Sequence, residues 1–171
     1  MDHYIGYAIS GLLVLSVLLL SALIPGGPVE TRNFSHISPF ILGSFNTFLT
    51  VLGIASFPLA YFCIGGGRLA LIGSLLCGIG YFLVYALDLA KIFPISKDKM
   101  PKVLFIIEVL GLIISIPLTL LSLMYMSMPK NGVMEVEISS SIILYTLAFM
   151  LIVGIGIITF ATRAAMGKTK K

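Results

Sequence analysis

Charge is what this sequence has least of. Only 11% of its 171 residues are Asp, Glu, Lys or Arg, whereas a water-soluble domain carries about 25%. Too few polar side chains remain to cover a surface facing water, and a soluble enzyme is excluded on that ground. Tryptophan is missing altogether, so the interfacial aromatic positions fall to Tyr and Phe, among them Tyr4, Tyr7 and Tyr61. Histidine and cysteine are scarce: His3, His36, Cys63 and Cys77 are the whole supply. A zinc site needs three or four ligands together, and a bis-histidine haem needs two at one depth of facing helices. Neither can be assembled from one copy, so no metal and no cofactor is expected. The HExxH, GxSxG and Walker-type patterns are absent as well. Gly65-Gly66-Gly67-Arg68 lacks the Lys-Ser/Thr ending of a phosphate loop and reads as a tight turn.

Long apolar runs are what the chain does have. It is 58% hydrophobic with a mean hydropathy of +1.11, and five runs reach the roughly 20 residues needed to cross a bilayer. They cover 4–24, 39–64, 69–90, 101–127 and 139–162, each bounded by Pro/Gly turns or by charge. Backbone amides in hydrocarbon must be satisfied within their own segment, so the runs are expected to be helices. The alternating segments of a membrane barrel do not occur. The expected fold is all-α: a polytopic integral membrane protein, one five-helix domain spanning 1–171, with a short basic tail at 163–171.

The scarce charges are unevenly placed. With five alternating crossings, nine of the eleven Lys and Arg fall on one side: Arg32, Lys91, Lys97, Lys99, Lys102, Arg163, Lys168, Lys170 and Lys171. Only Arg68 and Lys130 fall on the other. The positive-inside rule then expects the N-terminus outside and the C-terminus in the cytoplasm, in the cell membrane. The first run opens on Asp2 and His3 rather than the basic start of a cleaved signal, and it is expected to stay as a helix. The net charge of +4 follows from this asymmetry. It implies contact with anionic headgroups of the lipid bilayer and no nucleic-acid partner.

Cys63 and Cys77 flank the Gly turn unequally. In a hairpin register they lie about 12 Å apart along the axis, too far to bridge, so both are expected to remain thiols.

Inside the spans, polar and small residues recur at helical spacing. Glu108, Gly111, Ser115, Thr119 and Ser122 share one face of the fourth run; Ser74, Cys77, Tyr81, Tyr85 and Asp88 share one of the third. The second offers Gly43, Asn46, Thr50, Gly53 and Phe57. These faces suggest that helices two, three and four pack side by side with Asn46, Tyr81, Tyr85 and Glu108 turned inward. Ser, Thr and Gly alone are explained by ordinary helix packing. Glu108 and Asp88 are not: an acid at the bilayer centre costs about 2.5–3.5 kcal/mol even on the lenient insertion scale. Glu108 lies about 9 Å inside the start of its helix, and Asp88 sits in the same leaflet. Each acid must be protonated, hydrated, or paired with Lys91, Lys102 or Arg32. Asp88 can also be read as an interfacial residue beside Lys91. The first cytoplasmic loop, Pro25 to Ser38, carries Glu30, Arg32 and His36. It is either a polar linker or a segment folded back so that Arg32 or His36 approaches the acids.

These residues support three functional expectations. Thin loops and small-residue faces lead to a non-enzymatic accessory, assembly or interaction subunit, contacting a membrane-protein partner or another copy. The acids support a small proton-coupled transporter or channel using Glu108 and Asp88. Glu108, Asp88 and His36 together would suit an enzyme acting on lipid or quinone at the cytoplasmic interface. No run echoes another, so the inverted repeat of many transporters is not seen.

Overall fold

The computed structural model describes residues 2–128 and 140–167. It is all-helical among those residues: α1 (Asp2–Ala22), α2 (Pro39–Ile64), α3 (Arg68–Leu89), α4 (Lys102–Ser127) and α5 (Ser140–Ala165). All five are long and apolar enough to cross a membrane. The helices coincide with the expected runs to within a few residues; the fifth extends beyond 162 to Ala165, and the segment 129–139 lies outside the described residues. Local chemistry sets several ends. Pro39, whose missing N–H costs nothing in a first turn, opens α2 after Ser38. Lys91, at φ 56°, takes the left-handed conformation just past α3, and the Ile92 N–H closes back on the Leu87 carbonyl at 2.9 Å, as helix C-caps do. The helices α2 and α4 run on through Pro58 and Pro117.

The first four helices close a square. α1 packs on α2 and α4, and α3 packs on the same two helices; α2 and α4 occupy opposite corners and do not meet. The helices α2, α3 and α4 lie side by side as expected, with α3 in the middle. α1 fills the other side, and it brings buried Ser10 and Ser16 into the interior. Ser10 Oγ donates to the Ala60 carbonyl of α2. The α5 helix stands outside the square, and among the described helices it packs on α2 alone.

The tightest pairing is α3 with α4, and the small-residue stripes make it so. Ser74 Oγ donates to Ser122 Oγ at 2.9 Å in the buried seam. A Cβ on Gly78 would stand 2.5 Å from Thr119 Oγ1 and 3.2 Å from its Cα. A Cβ on Gly111 would stand 2.4 Å from the Tyr85 ring. Glycine at both places lets the backbones approach to where dispersion and hydroxyl bonds operate. Cys63 and Cys77 are both buried and not joined in a disulfide, in keeping with the register argument.

Gly78→Leu is expected to wedge α3 from α4 and destabilise the protein by about 1–3 kcal/mol, the usual cost of overpacking. Gly156→Leu, at a site where a Cβ meets nothing within 4 Å, should be tolerated. Thermal unfolding in detergent compares the two; equal midpoints would refute the close-approach account.

Candidate functional site

At the end of the square where α1 leaves, α2 and α4 begin and α3 finishes, the loop of residues 23–38 folds back over the bundle. Its residues 30–34 are neither helix nor strand, and their burial alternates. The period is the one side chains of an extended segment show: Glu30, Arg32 and Phe34 are buried, while Thr31, Asn33 and Ser35 are exposed. Continued, this alternation would carry His36 inward with Glu30, Arg32 and Phe34; a turn after Phe34, closed by the Ile37 N–H on the Phe34 carbonyl at 2.9 Å, breaks it and leaves His36 exposed. The loop is held from both sides. The Phe34 N–H donates to the Ala165 carbonyl at the end of α5, and the Asn33 N–H donates to Asp98 Oδ2 in the α3–α4 connection at 2.8 Å.

Arg32 is the hub. Its Nη1 and Nη2 donate to Asp88 Oδ1 and Oδ2 at 2.8 and 2.7 Å, a bidentate fork onto α3. Its Nε donates to Glu30 Oε1 at 3.0 Å, and Nη2 also reaches Glu30 Oε2. The guanidinium lies 5.2 Å from the centre of the Phe34 ring, within cation–π range. Only a planar, multiply donating cation can hold two carboxylates in this way. Burial works against the Arg32 charge, but the hydrogen bonds and charges of Asp88 and Glu30 outweigh it and hold the pKa above its ordinary value. The group stays cationic throughout the working pH range.

Glu108 sits behind this pair, 1% exposed. Its Oε1 is 3.6 Å from Arg32 Nη2, too far for a hydrogen bond. The Glu108 carboxyl neighbours that of Asp88, and among the described residues its Oε2 has no hydrogen-bond partner. The Tyr85 hydroxyl, equally buried, has none either. Its ring lies nearly parallel to Tyr81, with centroids 6.4 Å apart, and Tyr81 is tied through its own hydroxyl to Ser56 at 3.0 Å. One guanidinium therefore faces three carboxyl groups, and most of its donors are spent on two of them.

A cavity of about 50 Å³ opens at this point, lined among others by Glu30, Arg32, Asn46, Tyr85, Asp88 and Glu108. Six of the eight residues singled out from sequence thus share one site. Tyr81 is set back from it as a support for Tyr85. His36 is exposed and does not line the cavity, so it does not join the acids. Asp88 is no interfacial residue beside Lys91; its carboxylate is buried against Arg32. Asn46 faces the cavity from α2 and donates to Thr162 Oγ1 of α5 at 3.1 Å. Two larger spaces adjoin the cluster. On the loop side, a cleft of about 900 Å³ reaches Arg32 and Asp88 between Lys91, Lys97, Lys99 and Lys102. Toward α5, an apolar cavity of about 210 Å³ lies between α1, α2 and α5.

The arrangement defines a class: a bundle of helices apolar enough to cross a membrane, with a charge cluster sealed into one end and a surplus of carboxyl groups. The chain belongs to the family described as a domain of unknown function, DUF8051, whose model matches residues 5–136. The matched stretch holds the four-helix square and all residues of the charge cluster, and it stops short of α5. No curated protein and no solved structure matches the chain.

Arg32→Met should cost about 3–5 kcal/mol, because it strands buried carboxylates without a counter-ion. Adding Asp88→Leu to that variant should recover part of the loss. A double-mutant cycle on thermal midpoints checks the coupling; strictly additive effects would show that Arg32 and Asp88 act independently.

Proposed function

We propose that this is an integral membrane protein of the cell membrane, N-terminus outside and C-terminus cytoplasmic, that moves a proton-linked solute through an exchangeable site at Glu108. The orientation is supported by the placement of charge. Arg32, Lys91, Lys97, Lys99, Lys102 and Arg163 belong to the end where the two long loops and the end of α5 meet, and Arg68 belongs to the opposite end. The single observation carrying the functional reading is Glu108 Oε2: a fully buried carboxyl oxygen without a partner, beside a cation already shared by Glu30 and Asp88. If all three acids are ionised, Arg32 leaves a formal charge of −2. So much uncompensated charge in an apolar interior is costly, and positive charge from outside relieves it. A proton is the smallest such charge, and the cleft reaching Asp88 offers it a way in from the loop side.

The enzyme reading loses support with His36 outside the cavity. The accessory-subunit reading keeps one favouring observation. Its glycine and serine faces are used up between α3 and α4, but α5 presents Tyr145, Phe149, Leu151 and Ile152, all well exposed, to lipid or to a partner.

Two measurements test the proposal. In a Cys63→Ser, Cys77→Ser background, a cysteine at Lys97 should react with an impermeant maleimide only from the cytoplasmic side; labelling of intact cells would reverse the orientation. In proteoliposomes with a trapped pH dye, the wild-type protein should dissipate an imposed proton gradient when its solute is supplied from a pool of small metabolites and amines. Glu108→Gln, which keeps shape and removes charge, should abolish that flux while unfolding within a few degrees of wild type. Undiminished flux in Glu108→Gln would end the reading.

A further inference from the structure

We propose that the exchangeable site takes a primary alkylammonium ion, with its ammonium head between Glu108 and Tyr85 and its apolar tail in the cavity between α1, α2 and α5. This rests on the reading of Glu108 as the exchangeable centre and names the class of solute. Charge selects the sign of the head. The groups facing Glu108 are Asp88 and Tyr85 from α3 and Arg32 and Glu30 from the loop, and their formal sum favours a cation over an anion. Hydrogen bonding selects the kind of cation. Glu108 Oε2 is a free acceptor and the Tyr85 hydroxyl is a free donor or acceptor, both buried. A primary ammonium carries three N–H donors and satisfies both, whereas a quaternary ammonium offers none.

Size and lining select the rest. The polar cavity of about 50 Å³ admits a small head and little more. The apolar cavity of about 210 Å³ shares Leu20, Leu23, Pro25, Asn46 and Leu49 with it, so the two spaces adjoin along those residues. Leu18 and Phe57 at the outer cavity are more than half exposed, giving the tail access from the lipid side. A protonated amine and a proton then compete for the same carboxyl, and that competition is what links solute to proton.

Octylammonium is the probe, titrated calorimetrically into the full-length protein in nanodiscs against empty discs. Wild type should bind one equivalent. Glu108→Gln should weaken binding at least about tenfold, the loss expected for a charge-assisted hydrogen bond. Gly53→Leu should do the same by filling the tail cavity; a Cβ there meets only Leu20, at 3.7 Å, so the helices keep their places and thermal unfolding verifies this. Equal binding by wild type and both variants would overturn the proposal, as would displacement by octanoate or octyltrimethylammonium as effective as by octylammonium itself. Proton flux that needs Glu108 in a protein that binds no octylammonium would overturn the amine assignment alone. Saturable octylammonium binding that needs Glu108, in a protein without flux, would support the site and overturn the transport reading.

Discussion

A guanidinium held inside an apolar bundle is the constraint around which one end of this protein is organised. Removing a charge from water costs several kcal/mol, repaid only by close pairing and good hydrogen bonds. Arg32 meets that demand with a fork onto Asp88 and a second set of bonds to Glu30. Each partner then fixes a piece of backbone. Asp88 ties the loop to the last turn of α3, and Glu30, two residues away, fixes the path of the loop so that Phe34 follows into the interior. Asn33 and Phe34 extend the same anchoring to the α3–α4 connection and to α5. Loss of the cation would therefore loosen several elements together.

The rigid and the adaptable parts of the molecule lie on opposite sides of this hub. On one side α3 and α4 are drawn together by glycines and by the Ser74–Ser122 bond, a seam in which even a methyl group has no room. On the other, α1, α2 and α5 leave an apolar space with Asn46 as its polar edge. Glu108 and Tyr85 line the small polar cavity that shares Leu20, Leu23, Pro25, Asn46 and Leu49 with that space.

The helices and much of the site were legible in the sequence because both depend on local pattern. Apolar run length locates each helix, and the period-3.6 recurrence of Ser74, Cys77, Tyr81, Tyr85 and Asp88 puts them on one buried face. Adjacency is a different matter. Nothing local says that α1 rather than α2 lies against α4, because that choice is made by shape complementarity between residues far apart in the chain. The burial of Ser10 and Ser16 depends on the same long-range choice. The loop fell between: a period-2 alternation carries Glu30, Arg32 and Phe34 inward and would carry His36 with them, but the turn closed between Phe34 and Ile37 interrupts it and leaves His36 outside.

The solitary docking of α5 on α2 bears on the order in which the protein is made. A helix whose neighbours all precede it contributes nothing to their packing until it has left the ribosome. The square of α1 to α4, with its loop clasped by Arg32, can close while the last helix is still being synthesised, and the family match ending at residue 136 marks out that same earlier unit. The α5 helix then joins a finished wall through apolar contact, the Asn46–Thr162 bond and the Phe34–Ala165 bond. With so few attachments its dissociation is the natural first step of unfolding. Its release would uncover the cavity beside Asn46 long before the charge cluster itself came apart.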